Sequence, residues 1–488
     1  MRSAQKLLKL ARENGGIFIK AAQFAASIRG PVPSEYVDAL SEVQDRAPSR
    51  PWQQIEPHLK EQLGVDDLKE VFSKIDERAV AAASLAQVHR AMLQDGTDVA
   101  VKVQYPGLQA QITNDLNMIQ MAMMMFKDKL PLDVGWLINE LRVLLARECD
   151  FTIEAANSQR AAKALAWRGA EVCVPVVVAQ HSSKQVLVTE FAEGLIRMDD
   201  SAALEQAGLD AHAVGDLVAR VCSEMVLVHG LVHGDPHAGN VYVRPRKASG
   251  AAHVPPPATR RERRLSVGQA KPQIVILDHG LYFELEGDQR RSLCLLLRAL
   301  VHGQRKNAQR HADALVGPLA GVFPVILSPW FAAGLSLREA AALARGEFSI
   351  TLSTVVDFLK GMEGRSRELL GTVHSLGYTR GMLEALGYGE RQRLQRLVGA
   401  AEAGLDLSAF EKVQAGGTSE SLDNAETRAD AALVFTAAKL QAARAAMGVM
   451  RAGKKVAPLL FFYAPVAIAA VGTYATVGGV ATELLGIH

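Results

Sequence analysis

With 488 residues, 49% of them hydrophobic, the chain is long enough for one large two-lobed unit or two to three ordinary domains, and a sizeable core is available. Its 54 basic side chains nearly balance its 52 acidic ones, and a net charge of +2 leaves no global field to gather nucleic acid, so bulk charge gives that partner no support and any electrostatic site must be local. Cys149, Cys173, Cys222 and Cys294 form no C-x-x-C pair, against a zinc knuckle, a redox dithiol or a disulfide framework.

The first block, residues 1–65, reads as helical. Its start, MRSAQKLLKLARENGG, is basic and amphipathic without an apolar stretch of signal-peptide length, and its Lys, Arg and Ser fit the remnant of an organelle presequence. Further on, Ser34 after Pro33 is an expected N-cap, with Tyr36, Val37, Leu40 and Val43 at helical spacing behind it. Residues 66–195 change to a small β-lobe. Asp95-Gly96 is a hairpin turn and DVAVKVQ alternates as a strand. Leu137, Leu141, Leu144 and Leu145 predict a long helix continuing through Glu154, after which VCVPVVV and KQVLVTEF supply two more strands and the lobe closes near Gly194.

Residues 196–300 alternate helix with the loop HGDPHAGN and the strand QIVILD, and carry a Pro-, Arg- and Ala-rich insertion at 244–271 that is expected to be solvated. Residues 301–455 read as helical, and the uncharged stretch Ala314 to Leu337, with three prolines, as core or loop. The tail 456–488 contains Val456 to Thr482, also uncharged, which as a helix would be roughly 40 Å long against a hydrocarbon core of about 30 Å. Arg451, Lys454 and Lys455 stand at its start. Pro458, Pro465 and Gly478-Gly479 weaken a regular helix there and keep a buried hairpin as the alternative to a membrane-embedded segment.

Three places carry chemistry. Lys102 sits in VAVKVQ, where alternate apolar residues face a core and turn the ammonium toward a cleft, with a phosphate as its natural partner. Asp235 and Asn240 lie five residues apart in LVHGDPHAGNVYV, the spacing at which kinase-fold enzymes place a proton-accepting Asp and a metal-holding Asn. Asp278 ends IVILD just before His279-Gly280, where a second Mg²⁺ ligand would emerge from a strand. A zinc site at His233 and His237 would need a continuous helix, which Pro236 disfavours.

Together with AAASLAQVHRA, VAVKVQYPG, ECDFTIEAAN, HGDPHAGN and LDHGLY, these residues resemble the UbiB, or aarF-domain-containing, family of atypical kinases over about Gly16 to Tyr282, and DHGLY resembles its mitochondrial DHG-type branch. The resemblance implies an α+β fold, an atypical bilobal protein-kinase-like unit with an N-terminal helical extension and an enlarged helix-rich C-lobe. By likeness, Lys102 holds the ATP phosphates, Glu154 is its helix-borne partner, Asp235 is the catalytic acid–base residue, and Asn240 and Asp278 bind Mg²⁺. Ala81, Ala82, Ala83, Ser84 and Glu190 join the nucleotide-binding set, while Glu148 and Asp150 form an E-x-D motif. In one continuous helix, Asp150 and Glu154 would share a face.

The family's N-terminal K-x-G-Q motif corresponds to Lys20, Ala21, Ala22 and Gln23, with alanine in place of the glycine. The phosphate loop is likewise alanine where protein kinases have glycine, so its backbone wraps phosphates less closely. The resemblance ties such a loop to ATP turnover without robust phosphotransfer to peptides. It also implies a role in lipid or isoprenoid-quinone metabolism, with lipid surfaces and proteins of that metabolism as partners, at the mitochondrial inner membrane or in a plastid. The alternatives are a nucleotide-binding pseudokinase scaffold and a small-molecule kinase of the aminoglycoside or choline type, which also uses an HGD-x-x-x-x-N loop.

Overall fold

The computed structural model describes residues 2–14, 49–125, 145–246, 270–317, 320–321, 323–328 and 366–407, together with 18, 22, 39–40, 142–143 and 331. Helix α1 (Arg2–Asn14) buries Ala4, Leu8 and Ala11, a spacing of four and three that lines one helical face, and Ala22 and Leu40 join Leu8 and Ala11 in a small cluster. Helix α2 (Trp52–Leu63) buries Ile55 and Leu59 one turn apart against the first sheet.

That sheet is antiparallel and follows from strict alternation. Strands β1 (Phe72–Ile75), β3 (Ala86–Leu93), β4 (Asp98–Gln104) and β6 (Val186–Glu190) lie in the order β1-β3-β4-β6, and the short β2 (Ala81–Ala82) pairs with β3. On β4, Val99, Val101 and Val103 are fully buried against Ile55, Leu59 and, from helix α3 (Leu108–Met125), Leu108, Ile112 and Leu116. Lys102, at the intervening parity, therefore faces the other way.

Helix α4 (Phe151–Leu165) leads to β5 (Val172–Cys173), and beyond β6 come β7 (Ile196–Arg197), α5 (Ser201–Gln206) and α6 (Ala211–Leu227). Strands β8 (Leu231–His233) and β9 (Val241–Pro245) flank the loop HGDPHAGN, and β10 (Pro272–Ile276) and β11 (Tyr282–Glu284) flank LDHGLY. A second sheet runs β5-β10-β9-β7, and β8 pairs with β11 as a two-stranded ribbon. Beyond the ribbon, the described residues include helices α7 (Gly287–Val301), α8 (Arg305–Val316), α9 (Phe323–Leu327), α10 (Ser366–Ala385) and α11 (Glu390–Leu405).

Helices α6 and α11 meet at Gly404, where a β-carbon would collide with the Leu227 carbonyl. Arg290 of α7 donates to both the Leu227 and Gly404 carbonyls at 2.8 Å, satisfying two helix-end acceptors with one guanidinium. The end of α6, and with it the entry to β8, is thereby pinned from two sides.

The structure departs from three expectations. The helix expected to run through Glu154 breaks at Cys149-Asp150, because Asp150 leaves the helix (φ −120°, ψ 97°) and its carboxylate accepts the Thr152 N–H at 3.0 Å as the N-cap of α4. Asp150 and Glu154 therefore do not share a face of one continuous helix. Within VCVPVVV only Val172–Cys173 is a strand, and it pairs parallel with β10 in the second sheet; Pro175 lacks the N–H that would continue the ladder, and only Val177 bridges back to Thr189.

The expected insertion is shorter at both ends. Arg244 and Pro245 extend β9 opposite Gln273 and Pro272, and the Arg246 N–H donates to the Lys271 carbonyl at 2.8 Å. Residues 247–269, Lys20 and Gln23 of the K-x-G-Q counterpart, the Ser34 cap and the tail 456–488 lie outside the described residues. Among the described residues no helix is long and apolar enough to cross a membrane.

Candidate active site

Lys102 is the meeting point of both lobes. Its Nζ donates to Glu154 Oε1 and Oε2 at 2.7 and 2.9 Å and lies 3.4 Å from Asp278 Oδ2. Glu154 reaches it from the first turn of α4, whose N-cap is Asp150, so that acid of the E-x-D pair secures the helix that carries the lysine's partner. Phe151 lies under the ammonium, its ring centroid 5.0 Å from Nζ, and packs with Ala86 and Leu187 on the cleft side of the sheet.

The electrostatics of the trio are lopsided. Burial favours the neutral amine of Lys102, yet the carboxylates of Asp278 and Glu154 outweigh it and hold the pKa above the ordinary lysine value. Burial raises the pKa of Glu154, which is only 3% exposed, with Lys102 pulling the other way. Asp278 is also penalised by burial, but the Lys102 charge and the Gly280 N–H, donated to Oδ1 at 2.9 Å, bring it below the ordinary carboxylate value. Its side chain keeps 38% exposure, so a charged carboxylate opens to the cleft.

Asp235 and Asn240 are brought to Asp278 by two ladders. The β8–β11 ribbon sets His233 opposite Tyr282 and continues as the Gly234 N–H donating to the Leu281 carbonyl at 2.8 Å. The β9–β10 ladder sets Val241 opposite Ile276 and continues as the Leu277 N–H donating to the Asn240 carbonyl at 3.0 Å. Loop 234–240 is thus held against loop 277–281 at both ends. Gly234 is required there, since a β-carbon would sit 2.5 Å from Leu281 Cγ.

Within the loop, Asn240 Nδ2 donates to the Asp235 carbonyl at 2.9 Å, which closes the turn through the amide nitrogen rather than the amide oxygen. The Asp235 N–H donates to His233 Nδ1 at 3.1 Å, and the Gly239 N–H donates to His237 Nδ1 at 2.9 Å. Both imidazoles thus serve the loop backbone. His279, next to Asp278, shares one proton arrangement with its neighbours. Nε2 donates to the Ile276 carbonyl at 3.2 Å and Nδ1 accepts from the Tyr282 hydroxyl at 3.0 Å, while burial and His233 depress its pKa to about 3.

The remaining sequence candidates sort by position. Ala81 and Ala82 pair with Val88 and Gln87, the Ala83 N–H donates to the Ala86 carbonyl at 2.8 Å, and Ser84 is buried, so the alanine loop is a tight β-turn edge. Among the described residues no non-glycine has positive φ, consistent with alanine at these positions. Glu190 pairs with Val99 whereas Leu187 pairs with Lys102, which puts the Glu190 side chain on the opposite face of β6 from the lysine. Glu148 is half-buried and is the last helical residue before the break at Cys149-Asp150.

Residues 42–312 match the profile of the ABC1 atypical kinase-like domain, more than half of the chain. The chain belongs to the ABC1 atypical kinase-like family. It is 34% identical over 376 residues to a probable serine/threonine-protein kinase, abkD, of Dictyostelium discoideum, covering 75% of this chain and 50% of that one. It is also 34% identical over 331 residues to AarF domain-containing protein kinase 1 of Gallus gallus, covering 67% and 59% respectively. The chain therefore spans between half and three-fifths of the length of these relatives. Among solved structures it is similar to Rv3197 of Mycobacterium tuberculosis, described in complex with erythromycin, at 23% identity and a TM-score of 0.49, covering 79% of this chain and 92% of that one.

The ABC1 domain holds the whole Lys102–Glu154–Asp278 cluster and the Asp235–Asn240 loop, and it ends within α8. An amide oxygen and a carboxylate, beside a lysine, are hard oxygen donors of the kind that suits Mg²⁺ carried by a triphosphate, so the residues fit that ion. Sequence reasoning missed Phe151 and Asn157. The Asn157 side chain donates to the His279 carbonyl at 3.0 Å from one turn beyond Glu154, and its signal was the E-x-x-N spacing in FTIEAAN.

Proposed function

We propose that this ABC1-family chain is an ATP- and Mg²⁺-dependent phosphotransferase or ATPase. The observation that carries the reading is the closed Lys102–Glu154 pair, 2.7 and 2.9 Å, set 3.4 Å from Asp278 across the cleft. An ammonium so placed is a fixed cation for phosphate oxygens, and Glu154 keeps it from collapsing onto Asp278 alone. Asn240 and Asp278 would hold Mg²⁺, which when bound neutralises charge on the phosphates. Asp235, tied through its backbone to Asn240 and partly exposed, accepts the proton of the attacking water or hydroxyl. A role in lipid or isoprenoid-quinone metabolism and a mitochondrial inner-membrane address are further parts of the proposal, supported by motif resemblance and by the uncharged stretch 456–482.

The test is phosphate release by purified protein with ATP and Mg²⁺, with and without lipid vesicles. Asp235→Asn should lower kcat about 10²- to 10⁴-fold while nucleotide binding is largely kept. Equal turnover in wild type and variant would remove Asp235 from the chemistry, and no phosphate release by wild type would favour a scaffold.

A further inference from the structure

Helix α10 lies beyond residue 312, where the ABC1 domain match ends, yet it packs along the catalytic loop and the β8–β11 ribbon. Successive turns of one face do this. Gly371 lies against the Phe283 ring, which occupies the space a β-carbon would need. One turn on, the His374 ring stands edge-on to Tyr378, with centroids 4.6 Å apart and planes at 89°. Ser375 shares a small cavity with His233 and Pro236. Tyr378 in turn stands 6.3 Å from the His237 ring, tilted by 55°.

His237 is the neighbour of the catalytic carboxylate, its Nε2 lying 3.7 Å from Asp235 Oδ2. Because its Nδ1 accepts the Gly239 N–H, the neutral ring carries its proton on Nε2, on the side of Asp235. That single hydrogen bond anchors one nitrogen but leaves the ring plane able to pivot about it. The Tyr378 ring is tilted against that of His237 at 6.3 Å, and His374 stands edge-on to Tyr378. Burial lowers the pKa of His374, with Asp235 acting against that and His237 adding to it, so the ring lies within the field of both.

We propose that Tyr378, backed by His374, is a positioning residue: its ring holds His237 with Nε2–H toward the Asp235 carboxylate, coupling a helix outside the ABC1 domain to the catalytic loop. The effect on turnover rests on the proposed role of Asp235, whereas the effect on the His237 ring does not.

Two readouts on the full chain test it, with wild type, Tyr378→Phe and Tyr378→Ala compared throughout. In ¹⁵N-histidine NMR, with His237 assigned through His237→Gln, all three should keep the Nε2–H tautomer fixed by the Gly239 N–H, with sharp His237 signals in wild type and Tyr378→Phe and exchange-broadened ones in Tyr378→Ala as the ring pivots. In ATP turnover, Tyr378→Ala should lose about 10-fold in kcat, as a displaced supporting group does, with KM for ATP unchanged and Tyr378→Phe near wild type.

Unchanged His237 signals in Tyr378→Ala would overturn the inference. So would equal losses in the Phe and Ala variants, or a rise in KM for ATP instead of a fall in kcat. If Tyr378→Ala fails to fold, His374→Ala removes the backing and is read in the same two ways. If wild type releases no phosphate, the proposed function fails, while the ring signals still decide the positioning role.

Discussion

Lys102, Glu154 and Asp278 form a charge triad in which each member sets the state of the others. Glu154→Gln removes one charge-assisted partner from a lysine four-fifths buried, and such bonds contribute about 1.5–3 kcal/mol. We expect KM for ATP to rise about 10-fold or more as Lys102 shifts toward Asp278, checked by steady-state kinetics; an unchanged KM would mean the lysine is positioned by β4 alone. Lys102, Asp235, Asn240 and Asp278 could be read in the sequence because each sits at a fixed place relative to a strand or a turn. Phe151, Asn157, His279 and Tyr378 were not assigned roles, since their partners are 49 to 141 residues away or lie on an element with no motif of its own, or since their role depends on burial.

Helix α4 and the alanine hairpin show how local chemistry positions those side chains. Asp150→Ala removes the N-cap of the helix that presents Glu154, a loss of about 1 kcal/mol. Thermal denaturation should show that loss, and KM for ATP should rise with it. The sequence contained both halves of the cap, Asp150 and Thr152, but the preceding leucine periodicity masked the break. At the hairpin, Ala82→Gly frees a residue paired with Gln87 and costs about 0.5–1 kcal/mol of strand stability. It should also shift the relative affinities for ATP and ADP, measured by calorimetry. Unmoved affinities for both would remove β2 from nucleotide contact.

Across the whole molecule, buried neutral histidines tie stability to pH. Burial lowers the pKa of His89, His229, His233 and His374, and takes His279 to about 3. Below the unfolded value of 6.5 the unfolded chain binds protons that the folded chain refuses, so stability present above 6.5 is lost as pH falls toward the folded values. Asp278, Asp216 and Glu171, all below their ordinary pKa, add a further loss below about pH 4.5. Calorimetry should show Tm falling from pH 7 to pH 5; a flat Tm over that range would contradict the buried neutral rings. Arg168, 3% exposed between Glu224 and Glu171, supplies a second global check. Arg168→Ala would strand Glu224 of α6 and should destabilise the fold by about 3–5 kcal/mol in chemical denaturation.

By itself the sequence determined the family, the order of the chemical residues along the chain, and the alternation that turns Lys102 away from the Val99–Val101–Val103 core face, because these depend on spacing and strand parity alone. Tertiary structure decided the rest. The break at Asp150, the transfer of Val172–Cys173 to the second sheet, the clamp of loop 234–240 by two ladders, and the approach of α10 to His237 all depend on backbone partners distant in sequence, whose hydrogen bonds and packing no local pattern encodes.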